Sequence, residues 1–99
     1  MAGLIIWSSR AVEDLEAIAA YIAQDSEAYS ASVIRNILQK ARRLSEFPLI
    51  GRVVPEFDDQ SIREIFAYNY RIIYEVKTES IVVAAVVHGK RLMDISLKP

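Results

Sequence analysis

Three runs of β-branched and aromatic residues crowd the second half of this chain, and the links between them are too short for anything but antiparallel pairing. Ile62 to Ala67, Tyr70 to Val76 and Ile81 to Val87 are separated only by Tyr68-Asn69 and by Lys77-Thr78-Glu79-Ser80. Parallel neighbours need a crossover of about a dozen residues or more, so these links force hairpins. Pairing Ala67 with Tyr70 and Val76 with Ile81 then sets the register by counting. Arg71 falls opposite Phe66 on one side and Val86 on the other. His88 becomes its diagonal neighbour on the same face, together with Glu64, Ile73 and Glu75. The alternate face carries Tyr70, Ile72, Tyr74, Val76, Ile81, Val83, Ala85 and Val87, apolar enough to lie beneath helices.

The first half supplies those helices. Leu4-Ile5-Ile6-Trp7 reads as a short buried strand, and Ser8-Ser9 as the cap of a helix starting near Arg10. Val12, Leu15, Ile18 and Ile22 recur at helical spacing while Glu13, Asp14, Glu16 and Gln24 lie elsewhere. Acids in the first turns also suit the positive end of the helix dipole. Asp25-Ser26 caps a second helix with the stripe Ile34, Ile37, Leu38, Ala41 and Leu44, while Lys40, Arg42 and Arg43 form a solvated face at its negative end. Phe47-Pro48-Leu49-Ile50-Gly51 stops it, because proline cannot continue a helix and pushes its predecessor toward extended geometry. Val53-Val54 is a short extended piece and Asp58-Asp59-Gln60-Ser61 a turn. The expected fold is α+β: an N-terminal strand, an antiparallel helical hairpin, then a three- to four-stranded antiparallel sheet with one face buried and the other partly open.

Composition narrows the function classes. A chain of 99 residues encloses one core, so a single domain over residues 1–99 is expected. There is no cysteine and one histidine, which removes disulfides, a thiolate nucleophile and the usual zinc sites, and neither metal nor cofactor is expected. No apolar run approaches the roughly 18 to 20 residues that span a bilayer, and the N-terminus lacks a charged secretory pattern, so a cytoplasmic protein is expected. The formal charge of -1, from 12 basic and 13 acidic residues, gives no long-range pull on nucleic acid; any phosphate contact must come from local clustering.

That clustering points to the sheet. A guanidinium beside an imidazole suits phosphodiester chemistry, since arginine binds an oxyanion bidentately and histidine moves protons near neutral pH. The alternative is structural: Arg71 pairs with Glu64 or Glu75, and His88 caps the sheet end through a backbone hydrogen bond. Arg63 reads as a salt-bridge partner at the sheet edge, and Arg91 as a second phosphate contact or a solvated charge.

In order along the chain, Trp7-Ser8, Asp14-Leu15-Glu16-Ala17-Ile18 with Tyr21-Ile22-Ala23, Phe47-Pro48, Gly51-Arg52-Val53-Val54-Pro55-Glu56, Ile62-Arg63-Glu64, Tyr70-Arg71-Ile72-Ile73-Tyr74 and His88-Gly89-Lys90-Arg91 resemble the ParE/RelE superfamily of type II toxin-antitoxin toxins. Its members are also described as plasmid stabilisation proteins. The resemblance covers nearly the whole chain. It implies the fold already derived, in a protein that arrests growth until an antitoxin neutralises it, with toxin and antitoxin forming a hetero-oligomer.

The superfamily has two mechanisms. RelE-like members are ribosome-dependent endoribonucleases that cut messenger RNA; ParE-like members act on DNA gyrase without a catalytic constellation. If this chain is a nuclease, the resemblance makes Arg71, His88 and Arg91 its catalytic residues, with Arg71 stabilising charge on phosphate and His88 the general acid or base. Under the gyrase reading Arg63, Glu64, Arg71, His88, Lys90 and Arg91 are candidates for a functional or target-binding face. Several features favour the ParE-like branch: no tyrosine or histidine follows Arg91, Pro55 to Gln60 is acidic where nucleases keep a lysine pair, the charge is balanced, and the helical hairpin is long. The expectation is a gyrase poison, with the nuclease, and a non-toxic homologue that acts only as a binding module, as the alternatives.

Overall fold

The computed structural model describes residues 3–89. Strand β1 (Leu4–Trp7) leads into helix α1 (Ser9–Ala23) and helix α2 (Glu27–Arg42), and a 3-10 turn over Arg43–Ser45 precedes strands β2 (Arg52–Val53), β3 (Ile62–Ala67), β4 (Tyr70–Val76) and β5 (Ser80–His88). Both helices start where the sequence places a cap. Ser8 Oγ accepts the Ala11 amide and Ser26 Oγ accepts that of Tyr29, each at 3.0 Å, satisfying donors that the first helical turn leaves unpaired.

The strands form one sheet in the order β1-β5-β4-β3-β2. As expected, β3, β4 and β5 are an antiparallel meander. The N-terminal strand joins them: β1 pairs parallel with β5, Leu4 opposite Ser80 and Trp7 opposite Val83, so the sheet is mixed rather than purely antiparallel. The helical hairpin links the two edge strands, β1 and β2, across one face of the sheet.

Ala11, Val33, Ile37 and Ala41 of the helices pack on Ala67, Ile72, Val83 and Val86 of the sheet. A second, smaller core lies on the opposite face, where Val54, Phe57 and Ile62 cover Ile73, Ala85 and Val87. That face is therefore partly roofed by the chain between β2 and β3. The chain just before β2 runs equally close to β3: a Cβ at Gly51 would stand 2.5 Å from Glu64 O and 2.7 Å from the Tyr74 hydroxyl.

The register differs from counting at one place. Ala67–Tyr70 and Val76–Ile81 pair as expected, but Ile73 pairs with Ala85 and Tyr74 with Val83, which leaves Ala84 as a bulge. Beyond it every residue of β5 is displaced by one. Arg71 lies opposite Val87 rather than Val86, and His88 lies opposite Tyr70. Val86 joins the helical core while Ala85 and Val87 turn to the other face, the reverse of the expected alternation. A one-residue slip moves a strand's side chains to opposite faces.

Candidate functional face

On the sheet face away from the helices, β4 presents Arg71 and β3 presents Glu64, residues 5% and 1% exposed. The Arg71 guanidinium is held on two sides. Its Nε donates to Glu64 Oε1 at 2.6 Å, with Nη2 within 2.5 Å of the same oxygen. Nη1 and Nη2 donate to the two oxygens of Glu56 at 2.9 and 3.0 Å, a bidentate fork that fits the planar guanidinium. The second Glu64 oxygen accepts from Arg52 Nε, and the Arg52 guanidinium lies 5.4 Å from the centroid of the Phe66 ring. Two cations and two carboxylates thus cancel within one cluster. The hydrogen bond from Arg71 holds the Glu56 carboxyl below its ordinary range, and the Glu56 contact raises Arg71 in turn.

The other candidates fall elsewhere. Arg63 donates Nε to Gln60 O, Nη1 to Gly51 O and Nη2 to Gln60 Oε1; it ties loop carbonyls together and makes no salt bridge among the described residues. His88 does not share the face of Arg71, contrary to the counted register. Its ring stands edge-on to Tyr70 at 5.9 Å, over a groove lined by Arg10, Asp14, Tyr21 and Tyr70 on the helical side. Lys90 and Arg91 lie outside the described residues. Among the described residues no cluster of histidine, aspartate and glutamate could hold a metal ion.

Sequence reasoning offered Glu64 as a partner for Arg71 and passed over Glu56 and Arg52. Glu56 stood in the acidic stretch Pro55 to Gln60, but only the packing of its neighbours Val54 and Phe57 on the sheet brings its carboxylate to Arg71.

Comparison with known proteins decides the family. The model of a family described as the ParE toxin of type II toxin-antitoxin systems, parDE, matches residues 5–93. The chain belongs to the ParE toxin family. Two solved structures have the same fold: the chromosomal ParDE toxin-antitoxin system from P. aeruginosa, at 17% identity and TM-score 0.73 over 88% of this chain and 96% of that one, and a mutant of the E. coli toxin RelE in the free state, at 19% identity and TM-score 0.65 over 91% and 86%. No curated protein sequence matches. This ParE-family toxin has, among its described residues, no helix long and apolar enough to cross a membrane.

Proposed function

We propose that this ParE-family toxin arrests growth by binding and poisoning DNA gyrase in the cytoplasm, and that a cognate antitoxin neutralises it in a hetero-oligomer. The observation that carries this reading is the closure of Arg71. A phosphodiester could reach its guanidinium only by displacing Glu56, and the imidazole of His88 lies across the sheet from it. An RNA-cleaving centre needs its oxyanion donor and its proton carrier around one phosphate. A toxin that works by protein contact needs neither. The antitoxin half of the reading is supported by the similar fold in the ParDE system of P. aeruginosa.

The test runs gyrase supercoiling and ribosomal translation of a defined message in parallel, with purified toxin and its His88→Ala variant. Cleaved DNA trapped on gyrase, with the message intact, is the expected result. Message cut only on ribosomes, and spared by the variant, would overturn it in favour of a RelE-like nuclease. Unimpaired growth at verified soluble expression would leave a non-toxic binding module.

A further inference from the structure

β1 is one edge of the sheet and pairs only with β5. Leu4 N–H donates to Glu79 O and Ser8 N–H to Val83 O, so the alternate backbone groups, those of Ile5 and Trp7, point outward, away from β5. Neither the Ile5 nor the Trp7 amide has a partner among the described residues. The free stretch is bounded on both sides: Ser45 O accepts the Gly3 N–H at 3.0 Å, and helix α1 begins at Ser9.

The side chains alternate as well. Ile5 and Trp7 pack against the helical core, while Leu4 and Ile6 face the other side of the sheet, 67% and 42% exposed. The roof of Val54, Phe57 and Ile62 covers Ile73, Ala85 and Val87 and does not include them. Free strand edges are commonly blunted by a charge, above all lysine, or by proline. The opposite edge is treated in that way, with Arg52 in β2 and Lys40 Nζ on Phe66 O. Residues 1–9 contain no charge and no proline.

We propose that β1 is a self-association edge, pairing antiparallel with β1 of a second copy about a two-fold axis at Ile6. In that register Ile5 of each copy faces Trp7 of the other and exchanges both backbone hydrogen bonds with it, which satisfies the outward groups of both residues. Ile6 faces its own copy in the closely spaced, non-hydrogen-bonded position, and Leu4 lies diagonal to it, so the exposed side chains cover one another. In a two-fold pair any charge on so short a strand would stand near its own copy and repel it. The neutral β1 therefore fits a second copy and offers nothing complementary to a charged partner segment. Two exposed side chains on each copy bury far less than the roughly 1,200 Å² of a stable complex, so the dimer is weak, with a dissociation constant on the order of 0.1 mM. Pairing turns the two sheets into one, with both Arg71 faces on the same side. The assignment stands whether gyrase or the ribosome is the toxin's target.

The test follows the full chain by sedimentation equilibrium and amide exchange. The expected result is monomer at about 0.01 mM and mostly dimer at about 1 mM, with exchange at Ile5 and Trp7 slowing about threefold between about 0.05 and about 1 mM. Leu4, whose amide is already bonded to Glu79 O, should not change. Ile6→Lys, at an exposed position, sets like charges face to face and should leave a monomer with the circular dichroism of the unmodified chain. Because the chain has no cysteine, Ile6→Cys adds one thiol opposite its own copy, and it should oxidise to a dimer at least about tenfold faster than Leu4→Cys, which faces Ser8. A monomer throughout, a dimer that survives Ile6→Lys, or equal oxidation of the two cysteine variants would overturn the proposal. So would protection of Ile5 and Trp7 that is independent of concentration, which would give the edge to a segment of this chain, or protection only on adding the antitoxin, which would give it to that partner.

Discussion

The Asp14 carboxylate accepts the backbone N–H of Val86 at 2.9 Å across a sequence separation of 72 residues. This hydrogen bond and its neighbour hold the bulge in β5. Ser8 Oγ, while capping α1, donates to Ala84 O at 3.0 Å. A bulge leaves backbone groups without ladder partners, and here the start of α1 supplies them. Asp14 is in turn paired with Arg10 one helical turn away.

Asp14→Ala should leave the Val86 amide unsatisfied and cost about 1–3 kcal/mol. Ser8→Ala removes a helix cap together with the hydrogen bond to Ala84 and should cost about 1–2 kcal/mol. The two act on one bulge, so the double variant should be destabilised by less than the sum in urea unfolding, and amide exchange at Val86 should quicken in both single variants.

Arg71→Ala should be the most damaging change on the sheet, at about 3–5 kcal/mol, because it strands the buried Glu64 carboxylate. Glu56→Gln keeps the shape and should cost less. If Arg71 were chiefly a ligand-binding group, Arg71→Ala would unfold at the wild-type urea midpoint.

The Glu56 carboxyl is held below the ordinary value of 4.5, first through the hydrogen bond from Arg71. A group depressed in the folded state contributes stability that is present above its unfolded value and is lost as pH falls through its folded value. Thermal midpoints should therefore decline below about pH 4.5, and Glu56→Gln should decline less steeply over that window. Identical profiles would show that the pair contributes nothing to acid stability.

Tyr74, fully buried, accepts the Gly51 amide at 3.0 Å and donates to Pro48 O at 2.8 Å. Tyr74→Phe leaves both backbone groups unpaired and should cost about 1–3 kcal/mol. Gly51→Ala meets backbone at Glu64 and should cost more than Tyr74→Phe; equal urea midpoints would refute the close approach.

Tyr68 opens the β3–β4 turn at φ 54°, a left-handed conformation that disfavours a bulky side chain by about 1–2 kcal/mol. Tyr68→Asn should raise stability by about 1 kcal/mol, since asparagine tolerates that region. The substitution forfeits only the edge-on packing of the Tyr68 ring on Tyr29, whose centroids lie 6.2 Å apart and which are both exposed. A lower thermal midpoint would mean that the ring pair outweighs the strain.

Local chemistry made most of the fold legible. Serine caps at Ser8 and Ser26, the proline stop at Pro48 and the two short hairpin links act within a few residues of where they stand, so the helices and the pairs Ala67–Tyr70 and Val76–Ile81 follow from the sequence. The parallel docking of β1 on β5 was not legible, because nothing in Leu4 to Trp7 names a partner strand. Nor was the Arg71 cluster complete, because Glu56 reaches it through a loop whose path depends on Val54 and Phe57 packing on Ile73, Ala85 and Val87.

The sequence by itself determined which segments become strands and helices and that β3, β4 and β5 pair in order. Tertiary structure decided which way the end of β5 faces. Ala84, Ala85, Val86 and Val87 are all apolar, so their pattern suits either face and fixes no register. Ser8 and Asp14, brought from the other end of the chain, hold the extra residue at Ala84. That single bulge separates His88 from Arg71 by the thickness of the sheet.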